Sequence, residues 1–286
     1  MSDQADDLRR LVRRGRLDEG SHTAPRPPTL AVLGGRRGVG ATTVALNLAA
    51  ALAERGGRVV LVDADLNHAN LSNLCQLRSA CTVREILSGR RGIHEVLVRG
   101  PAGVLILPGA MSTAEPLDLS HTALRRVTAG VLGLSRHTDW ILLDLGSGAG
   151  PPARTLLELA HGMLVVTADD DDSVMDSYAA IKMLATGDRP GWVGLCVNQT
   201  TDGVLAGDVY ERISRSARNF LARRVEAAVN VPADPLVPQA AAQGQPVVLA
   251  SPESPAAGAL VKLTAAVQAA LVSVQDGKPA AMTAAQ

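Results

Sequence analysis

Aromatic residues are scarce in this sequence, and the charges of its side chains cancel. Only five of the 286 residues are aromatic, so the stacking platforms that bind single-stranded nucleic acid are not expected. Lysine and arginine together number 28, as do aspartate and glutamate, which gives a formal net charge of zero. A protein that coats DNA needs excess positive charge to neutralise phosphates. The composition therefore predicts that nucleic acid is not a partner.

Cysteine is also rare, and its spacing fits neither disulfides nor zinc. Cys75, Cys81 and Cys196 form no C-x-x-C pair and leave one odd thiol. The six histidines show no metal-binding spacing. Long apolar runs are missing as well, and the first seven residues are acidic where a secretion signal is basic. We therefore expect a cytoplasmic protein without a membrane-spanning helix.

Apolar runs of strand length alternate with segments of helix length from residue 29 onwards. This alternation, with 47% hydrophobic residues, predicts an α/β fold in which helices cover both faces of a mostly parallel sheet. In such sheets, ligands bind beyond the carboxyl ends of the strands. The predicted strands are 29–34, 58–63, 104–108, 140–145, 163–167, 192–198 and about 224–231. The predicted helices are 43–55 and about 117–135, 151–160, 172–186, 205–221 and 255–275.

The ends of the chain differ in pattern from this central domain. Residues 1–14 contain a predicted helix with one apolar stripe, and residues 15–28 are rich in glycine and proline, as linkers are. The nucleotide-binding domain is predicted to span residues 29–275. The alanine-rich tail, 276–286, is expected to be disordered.

A glycine-rich turn follows the first predicted strand and opens a helix. Residues 35–42, Gly-Arg-Arg-Gly-Val-Gly-Ala-Thr, match the phosphate-binding pattern GxxxxGK[ST] except that Ala41 replaces the lysine. Glycines let consecutive N–H groups face an anion, and the helix N-terminus adds partial positive charge. Thr42 takes the position whose hydroxyl binds Mg²⁺. The alternative is a glycine turn that binds nothing.

The stretch 35–43 resembles the deviant Walker A motif of the MinD/ParA ATPases, GKGGVGKTT. Arg36 replaces the family's signature lysine, Arg37 replaces a glycine and Ala41 replaces the P-loop lysine. In the family, the signature lysine reaches across a nucleotide-dependent dimer, and Arg36 keeps that charge. The resemblance implies a P-loop NTPase that binds ATP and Mg²⁺, with affinity weakened roughly ten- to hundredfold by the lost lysine. It implies a catalytic role for Arg36 and nucleotide contacts from Gly35, Arg36, Arg37, Gly38, Val39, Gly40, Ala41, Thr42 and Thr43.

Acidic residues at two strand ends extend this resemblance. Residues 63–70, Asp-Ala-Asp-Leu-Asn-His-Ala-Asn, resemble the family's switch segment DADxxxAN, which implies that Asp65 positions the attacking water as a catalytic residue. Asp144 begins a glycine-rich stretch similar to the family's Walker B and switch II signature, DTGAG. The resemblance thus implies that Thr42, Asp63 and Asp144 hold the metal ion. The alternative is that these carboxylates are polar loop residues that cap a helix.

Two later loops are similar to the family's adenine-binding segments. Asn198 stands at the asparagine of VNR, with Gln199 in place of the arginine, and residues 232–235 resemble PEDP. The resemblance implies nucleotide contacts from Asn198, Pro232 and Asp234. The acidic run 169–172 is predicted to cap a helix rather than to bind a metal ion.

Within the family, the sequence is most similar to the FlhG-type regulators of flagellar number. Residues 65–71 resemble the switch segment DLGLANVD, and residues 173–182 resemble the helix TAITDAYALIK. Residues 3–9, Asp-Gln-Ala-Asp-Asp-Leu-Arg, match the DQAxxLR motif that precedes the core of such proteins. In that family, this helix docks on the signal-recognition-type GTPase FlhF and stimulates GTP hydrolysis. An FlhF-like GTPase is thus implied as partner, contacted by Asp3, Gln4, Ala5, Leu8 and Arg9.

Three functions are open on this basis. The first is a nucleotide-dependent switch, which is favoured by intact Thr42, Asp65 and Asp144. The resemblance implies that such a switch forms a nucleotide-dependent homodimer and controls flagellar assembly. Ala41 favours a pseudo-ATPase scaffold that does not hydrolyse ATP. The third function, that of a ParA-like segregation ATPase, is disfavoured because this sequence shows no evident basic surface for DNA. The helix 255–275 has one lysine and no aromatic anchor, so we expect it to pack in the core. Membrane association is accordingly predicted to be weak or absent.

Overall fold

The computed structural model describes residues 26–66, 68, 70–110, 116–147, 150–184 and 191–277. The predicted partner helix, with Asp3, Gln4, Ala5, Leu8 and Arg9, lies outside the described residues. So do most of the linker and most of the tail.

Strands and helices alternate along the described chain, as the sequence predicts. The strands are β1 (Thr29–Gly34), β2 (Val59–Asp63), β3 (Val98–Arg99), β4 (Leu105–Leu107), β5 (Trp140–Asp144), β6 (Gly162–Thr167), β7 (Trp192–Thr200), β8 (Glu226–Ala227) and β9 (Val231–Pro232). The helices are α1 (Ala41–Glu54), α2 (Asn70–Leu74), α3 (Val83–Leu87), α4 (Ile93–Val96), α5 (His121–Gly133), α6 (Pro151–Leu157), α7 (Asp171–Leu184), α8 (Gly203–Leu221), α9 (Leu236–Ala242), α10 (Val247–Ala250) and α11 (Pro255–Gln275). Two 3-10 turns, Pro101–Gly103 and Leu134–Arg136, complete the described elements.

A single sheet organises the described strands in the order β3-β4-β2-β5-β1-β6-β7-β8, with β9 also paired to β7. Every pairing is parallel except that of β3 with β4. The prediction of a mostly parallel sheet is therefore confirmed. Because β1 lies between β5 and β6, the loop after β1 starts at the centre of the sheet's carboxyl edge. This is where α/β sheets bind their ligands.

Helices cover both faces of the sheet, so the central strands read as continuous apolar runs. One core layer includes buried side chains of α1 and α11, and the other includes those of α5, α6, α7 and α8. Helix α1 is buried over most of its length because it lies between the sheet and α11. The phosphate-loop helix is thus held on all sides by apolar packing.

Most predicted elements lie within about four residues of their predicted ends, and the larger differences concern β7, β8, β9 and the shortest elements. The predicted strand at about 224–231 is two short strands, β8 and β9, and β7 extends to Thr200 rather than ending at residue 198. Strand β3 and the short helices α2, α3, α4, α9 and α10 were not predicted, because segments of two to seven residues hold too little of a repeating pattern to be recognised.

Helix α11 is long and apolar enough to cross a membrane by length and composition, and it is the one described helix that meets those criteria. In the fold, eight of its side chains are buried, among them Leu260, Leu263, Val267 and Leu271. They belong to the same core layer as α1. The prediction that this helix packs in the core is confirmed, and weak or absent membrane binding stays a prediction.

Candidate nucleotide-binding site

The glycine-rich loop connects β1 to α1 in a conformation that requires glycine. Gly38 and Gly40 have φ angles of 89° and 88°, a left-handed region that L-residues with side chains seldom adopt. Gly40 is the residue immediately before α1, so the loop delivers its backbone directly to the positive end of that helix. At the other end, the Gly34 N–H donates to the carbonyl of Gly146, which ties the loop to the strand-end segment after β5.

A cleft of about 490 Å³ opens beside this loop. Among the residues for which the sequence predicts a functional role, it brings together Arg36, Arg37, Gly38, Gly40, Ala41, Thr42, Thr43 and Asp65. Residues for which the sequence predicts no role also line it: Asn70, Asn73, Leu74, Gly146, Ser147, Gln199 and Ala241. Gly146, Ser147 and Asn70 lie inside the recognised motifs, so their positions in those motifs could have identified them as residues of the site. Asn73, Leu74 and Ala241 come from α2 and α9 and carry no motif.

Two aspartates lie side by side at the ends of β2 and β5, and neither is among the residues that line the cleft. Asp63 and Asp144 are partners in the pairing of β2 with β5, and both are 0% exposed. Asp63 accepts a hydrogen bond from the Leu71 N–H (3.2 Å), and Asp144 accepts one from the Gly146 N–H (3.1 Å). The second oxygen of each carboxylate, Oδ1 of Asp63 and Oδ2 of Asp144, has no hydrogen-bond partner.

Burial raises the pKa of both carboxyl groups. It raises the pKa of Asp144 to about 6, although the Thr42 hydroxyl and the Gly146 N–H lower it in part. It raises the pKa of Asp63 well above its usual range, and the nearby charge of Asp144 adds to the effect. Buried carboxylates without partners are costly unless a cation neutralises them. Their free oxygens and the Thr42 hydroxyl form an oxygen-rich set that fits Mg²⁺.

Within the described part of the chain, no group of three or more His, Cys, Asp or Glu side chains forms a metal site by itself. A cation at Asp63 and Asp144 therefore needs further ligands from water or from a bound phosphate. This is how Mg²⁺ is usually held in nucleotide sites, where one or two carboxylates act together with substrate phosphates.

Asp65 lies on the wall of the cleft and is 5% exposed. Its Oδ1 is 3.5 Å from Nδ1 of His68. The carboxylate packs directly against Gly146, where an added Cβ would collide with it, and Gly146 has a φ of 59°. Glycine at 146 thus allows the strand-end loop to approach Asp65 closely.

Arg36 is held by the first turn of α7. Its Nη1 lies 3.2 Å from Oδ1 of Asp170 and 3.6 Å from Oδ2 of Asp172, and about two fifths of its side chain is exposed. Asp170 also accepts hydrogen bonds from the N–H (2.9 Å) and hydroxyl of Ser173, which confirms that the acidic run caps a helix. Arg36 therefore lies at the rim of the cleft, beside its opening.

The predicted adenine-contact residues lie near the end of β7, in β9 and just after β9. Asn198 and Gln199 donate hydrogen bonds to the carbonyls of the phosphate loop. Asp234 accepts hydrogen bonds from the N–H groups of Leu236 (2.9 Å) and Ala256 (3.2 Å), which ties α9 to α11. Asn198, Pro232 and Asp234 are not among the residues that line the cleft, and their contact with adenine stays a prediction.

Together, the central glycine loop and the paired strand-end carboxylates define a P-loop nucleotide-binding protein of the deviant Walker A class. The family model described as cellulose biosynthesis protein BcsQ matches residues 28–267. The chain belongs to this family, within the MinD/ParA-type P-loop ATPases, and it is FlhG-like.

Three relatives illustrate this placement. The chain is 37% identical over 155 residues to the antiactivator FleN of Pseudomonas aeruginosa, covering 54% of this chain and 55% of FleN. It is 30% identical over 243 residues to an uncharacterised ATP-binding protein of Methanocaldococcus jannaschii, covering 82% and 86%. It is 26% identical over 194 residues to the flagellum site-determining protein YlxH of Helicobacter pylori, covering 68% and 65%. The match thus spans about half the length of FleN and under two thirds of YlxH.

A solved structure agrees in fold. The septum site-determining protein MinD of Pyrococcus horikoshii, complexed with Mg-ADP, superimposes with a TM-score of 0.70 at 24% identity, covering 87% of this chain and 98% of that one. This likeness shows the MinD-like fold of the described domain.

Proposed function

We propose that this protein is an ATP-binding, nucleotide-dependent regulator of flagellar assembly or number. The observation that carries the proposal is the pair of fully buried carboxylates, Asp63 and Asp144, each with an oxygen left without a partner behind the glycine loop. Such a pair is stabilised by a divalent cation that arrives with a polyphosphate.

The residues divide the work of holding Mg²⁺ and ATP. The backbone of residues 35–43 would contact the phosphates, and Thr42, Asp63 and Asp144 would hold the metal ion, directly or through water. Asp65, buried on the cleft wall, orients the attacking water. When bound there, Mg²⁺ would neutralise charge that develops on the phosphates. Arg36 supplies charge at the rim once it leaves its acidic partners.

The relatives support both parts of this proposal. FleN is named as an antiactivator and YlxH as flagellum site-determining, and the archaeal relative is named as ATP-binding. The similar MinD structure contains Mg-ADP. A cytoplasmic location follows for a protein that acts in this way.

Calorimetric titration with ATP and ADP, with and without Mg²⁺, tests the nucleotide site directly. We expect both nucleotides to bind in the micromolar to millimolar range, because the missing lysine weakens affinity roughly ten- to hundredfold. Mg²⁺ should strengthen the binding in the wild type but not in Asp144→Asn. An absence of binding at millimolar nucleotide would refute the switch.

The proposed partner is a signal-recognition-type GTPase similar to FlhF, contacted through residues 3–9. The Gln4 side chain of this protein would help order the attacking water in the partner's active site, as glutamines do in other GTPases. Gln4→Ala, or removal of residues 1–14, should abolish stimulation of GTP hydrolysis in a single-turnover assay. Gln268→Ala, at a half-buried glutamine of α11 that accepts a hydrogen bond from Arg55, is the matched control. Stimulation that survives loss of residues 1–14 would contradict this part of the proposal.

A second candidate is a pseudo-ATPase that binds nucleotide without hydrolysing it. Ala41 favours it, because the lysine it replaces contributes charge stabilisation during phosphoryl transfer. The retention of Arg36 by Asp170 and Asp172 also favours it. Nucleotide-dependent dimerisation without single-turnover hydrolysis would establish this alternative, whereas measurable hydrolysis would exclude it.

A further inference from the structure

Two carboxamide side chains at the end of β7 bind consecutive carbonyls of the phosphate loop. Asn198 donates from Nδ2 to the carbonyl of Val39 at 2.8 Å, and Gln199 donates from Nε2 to the carbonyl of Gly38 at 3.1 Å. The Asn198 amide also packs against Gly40, at the point where any Cβ would collide with it. These contacts join segments about 160 residues apart in sequence.

Neighbouring residues in a regular strand point to opposite faces of the sheet, so both amides reach the same loop only through an irregularity. Gln199 supplies it, because its φ is 59°, a left-handed conformation that is uncommon for a residue other than glycine. The pairing of β7 with β9 shifts its register between Asn198 and Thr200. Such irregularities re-aim side chains, and strained backbone of this kind concentrates at functional sites.

The two hydrogen bonds fix the direction of two backbone N–H groups. In a trans peptide, the C=O and the following N–H point in opposite directions. Since the carbonyls of Gly38 and Val39 face β7, the N–H groups of Val39 and Gly40 face away from it. Neither N–H donates a hydrogen bond to any residue that the structure describes. The loop borders the cleft, where Gly38 and Gly40 are among the lining residues, so these two N–H groups are left for an anion or for water.

We infer that Asn198 and Gln199 are positioning residues that hold the loop as a preformed anion site. The backbone N–H groups of Val39 and Gly40 then offer phosphate contacts that do not depend on a lysine at position 41. The inference rests on the proposed function, because the anion is the polyphosphate of the nucleotide. It gives Asn198 a role toward the phosphates beside the expected contact with adenine, which stays a prediction.

The test compares ligands with and without a base. Calorimetric titrations with inorganic pyrophosphate, ADP and GDP are run on the wild type, Gln199→Met and Gln199→Asn, with Gln268→Ala as control. Methionine keeps the length of the side chain but cannot donate. Asparagine suits the left-handed backbone better but is one methylene too short to reach the carbonyl. Gln199 is exposed, so these variants are expected to fold, and urea unfolding verifies this.

Both Gln199 variants should lose affinity for pyrophosphate and for ADP by the same factor, roughly two- to tenfold for one hydrogen bond. Their preference for ADP over GDP should stay that of the wild type. Unchanged pyrophosphate affinity, or a changed base preference, would overturn the inference while leaving nucleotide binding intact. A wild type that binds neither ADP nor pyrophosphate would instead overturn the proposed function and this inference with it.

Discussion

Replacing Asp144 by asparagine should stabilise the ligand-free protein at pH 8 while removing Mg²⁺-dependent nucleotide binding. Burial raises the pKa of Asp144 from 3.8 to about 6, so the folded state binds this proton more tightly than the unfolded state. Stability contributed by the neutral form is therefore lost as pH rises through about 4 to 6. At pH 8 the wild type carries a buried charge that the amide does not.

The size of the stability change follows from the pKa shift of Asp144. A change of about two pKa units corresponds to about 3 kcal/mol at pH 8 and to about half of that at pH 5. The new amide N–H has no acceptor where Oδ2 of Asp144 now lies, which costs about 1–3 kcal/mol at any pH. The net gain at pH 8 is thus between zero and about 2 kcal/mol, and it should fall by about 1.5 kcal/mol at pH 5.

Urea unfolding of both proteins at pH 8 and pH 5 measures this difference. Asp139→Asn is the control with the opposite sign, because Arg58 lowers the pKa of Asp139 to about 2. Its carboxylate stabilises the fold above its unfolded pKa and loses that effect only as pH falls toward 2. Asp139→Asn should therefore destabilise the protein equally at pH 5 and pH 8. The same effect of Asp144→Asn at both pH values would refute the raised pKa.

Three further substitutions test other features of the site. Gly146→Ala should weaken Mg²⁺-dependent nucleotide binding, because the added Cβ would meet Asp65 and the φ of Gly146 is 59°. The control is Gly207→Ala on α8, where the Cβ meets open space, and it should stabilise the protein by up to about 1 kcal/mol in urea unfolding. A neutral Gly146→Ala would show that the loop can move away. Ala41→Lys should tighten ATP binding roughly ten- to hundredfold in calorimetry, and unchanged affinity would mean that another cation already serves. Asp170→Ala should cost about 1 kcal/mol of stability through the lost helix cap, and no loss would contradict that role.

Much of the fold could be predicted because its strands are buried on both faces. Runs such as Thr29–Gly34 and Gly162–Thr167 are wholly buried, and their continuous apolar sequence reports this directly. The edge strand β3 has only two residues and an antiparallel pairing that no local pattern encodes. Helix α11 was predicted with its observed bounds because its apolar face repeats over five turns.

In the candidate site too, the residues that could be predicted are those that a local sequence pattern marks. Asp63 and Asp144 could be found because each ends a recognisable strand, and parallel strands end at a common edge. Asn73 and Ala241 could not, because helices far apart in sequence bring them to the cleft through tertiary packing. Gln199 was noticed only as a departure from the family pattern. Its contact with Gly38 depends on a local backbone irregularity that the sequence does not announce.

The loss of the P-loop lysine separates two tasks that this residue normally combines, which are orienting the phosphate and neutralising it. Orientation can come from the loop's own N–H groups, since Asn198 and Gln199 fix their direction. Neutralisation needs a cation, and Arg36 lies at the rim in an ion pair with Asp170. Ion pairs exposed to this degree contribute only about 0–1 kcal/mol, so an incoming triphosphate can displace the carboxylate at little cost. The charge of Arg36 can therefore pass from Asp170 to a bound nucleotide at little cost in stability.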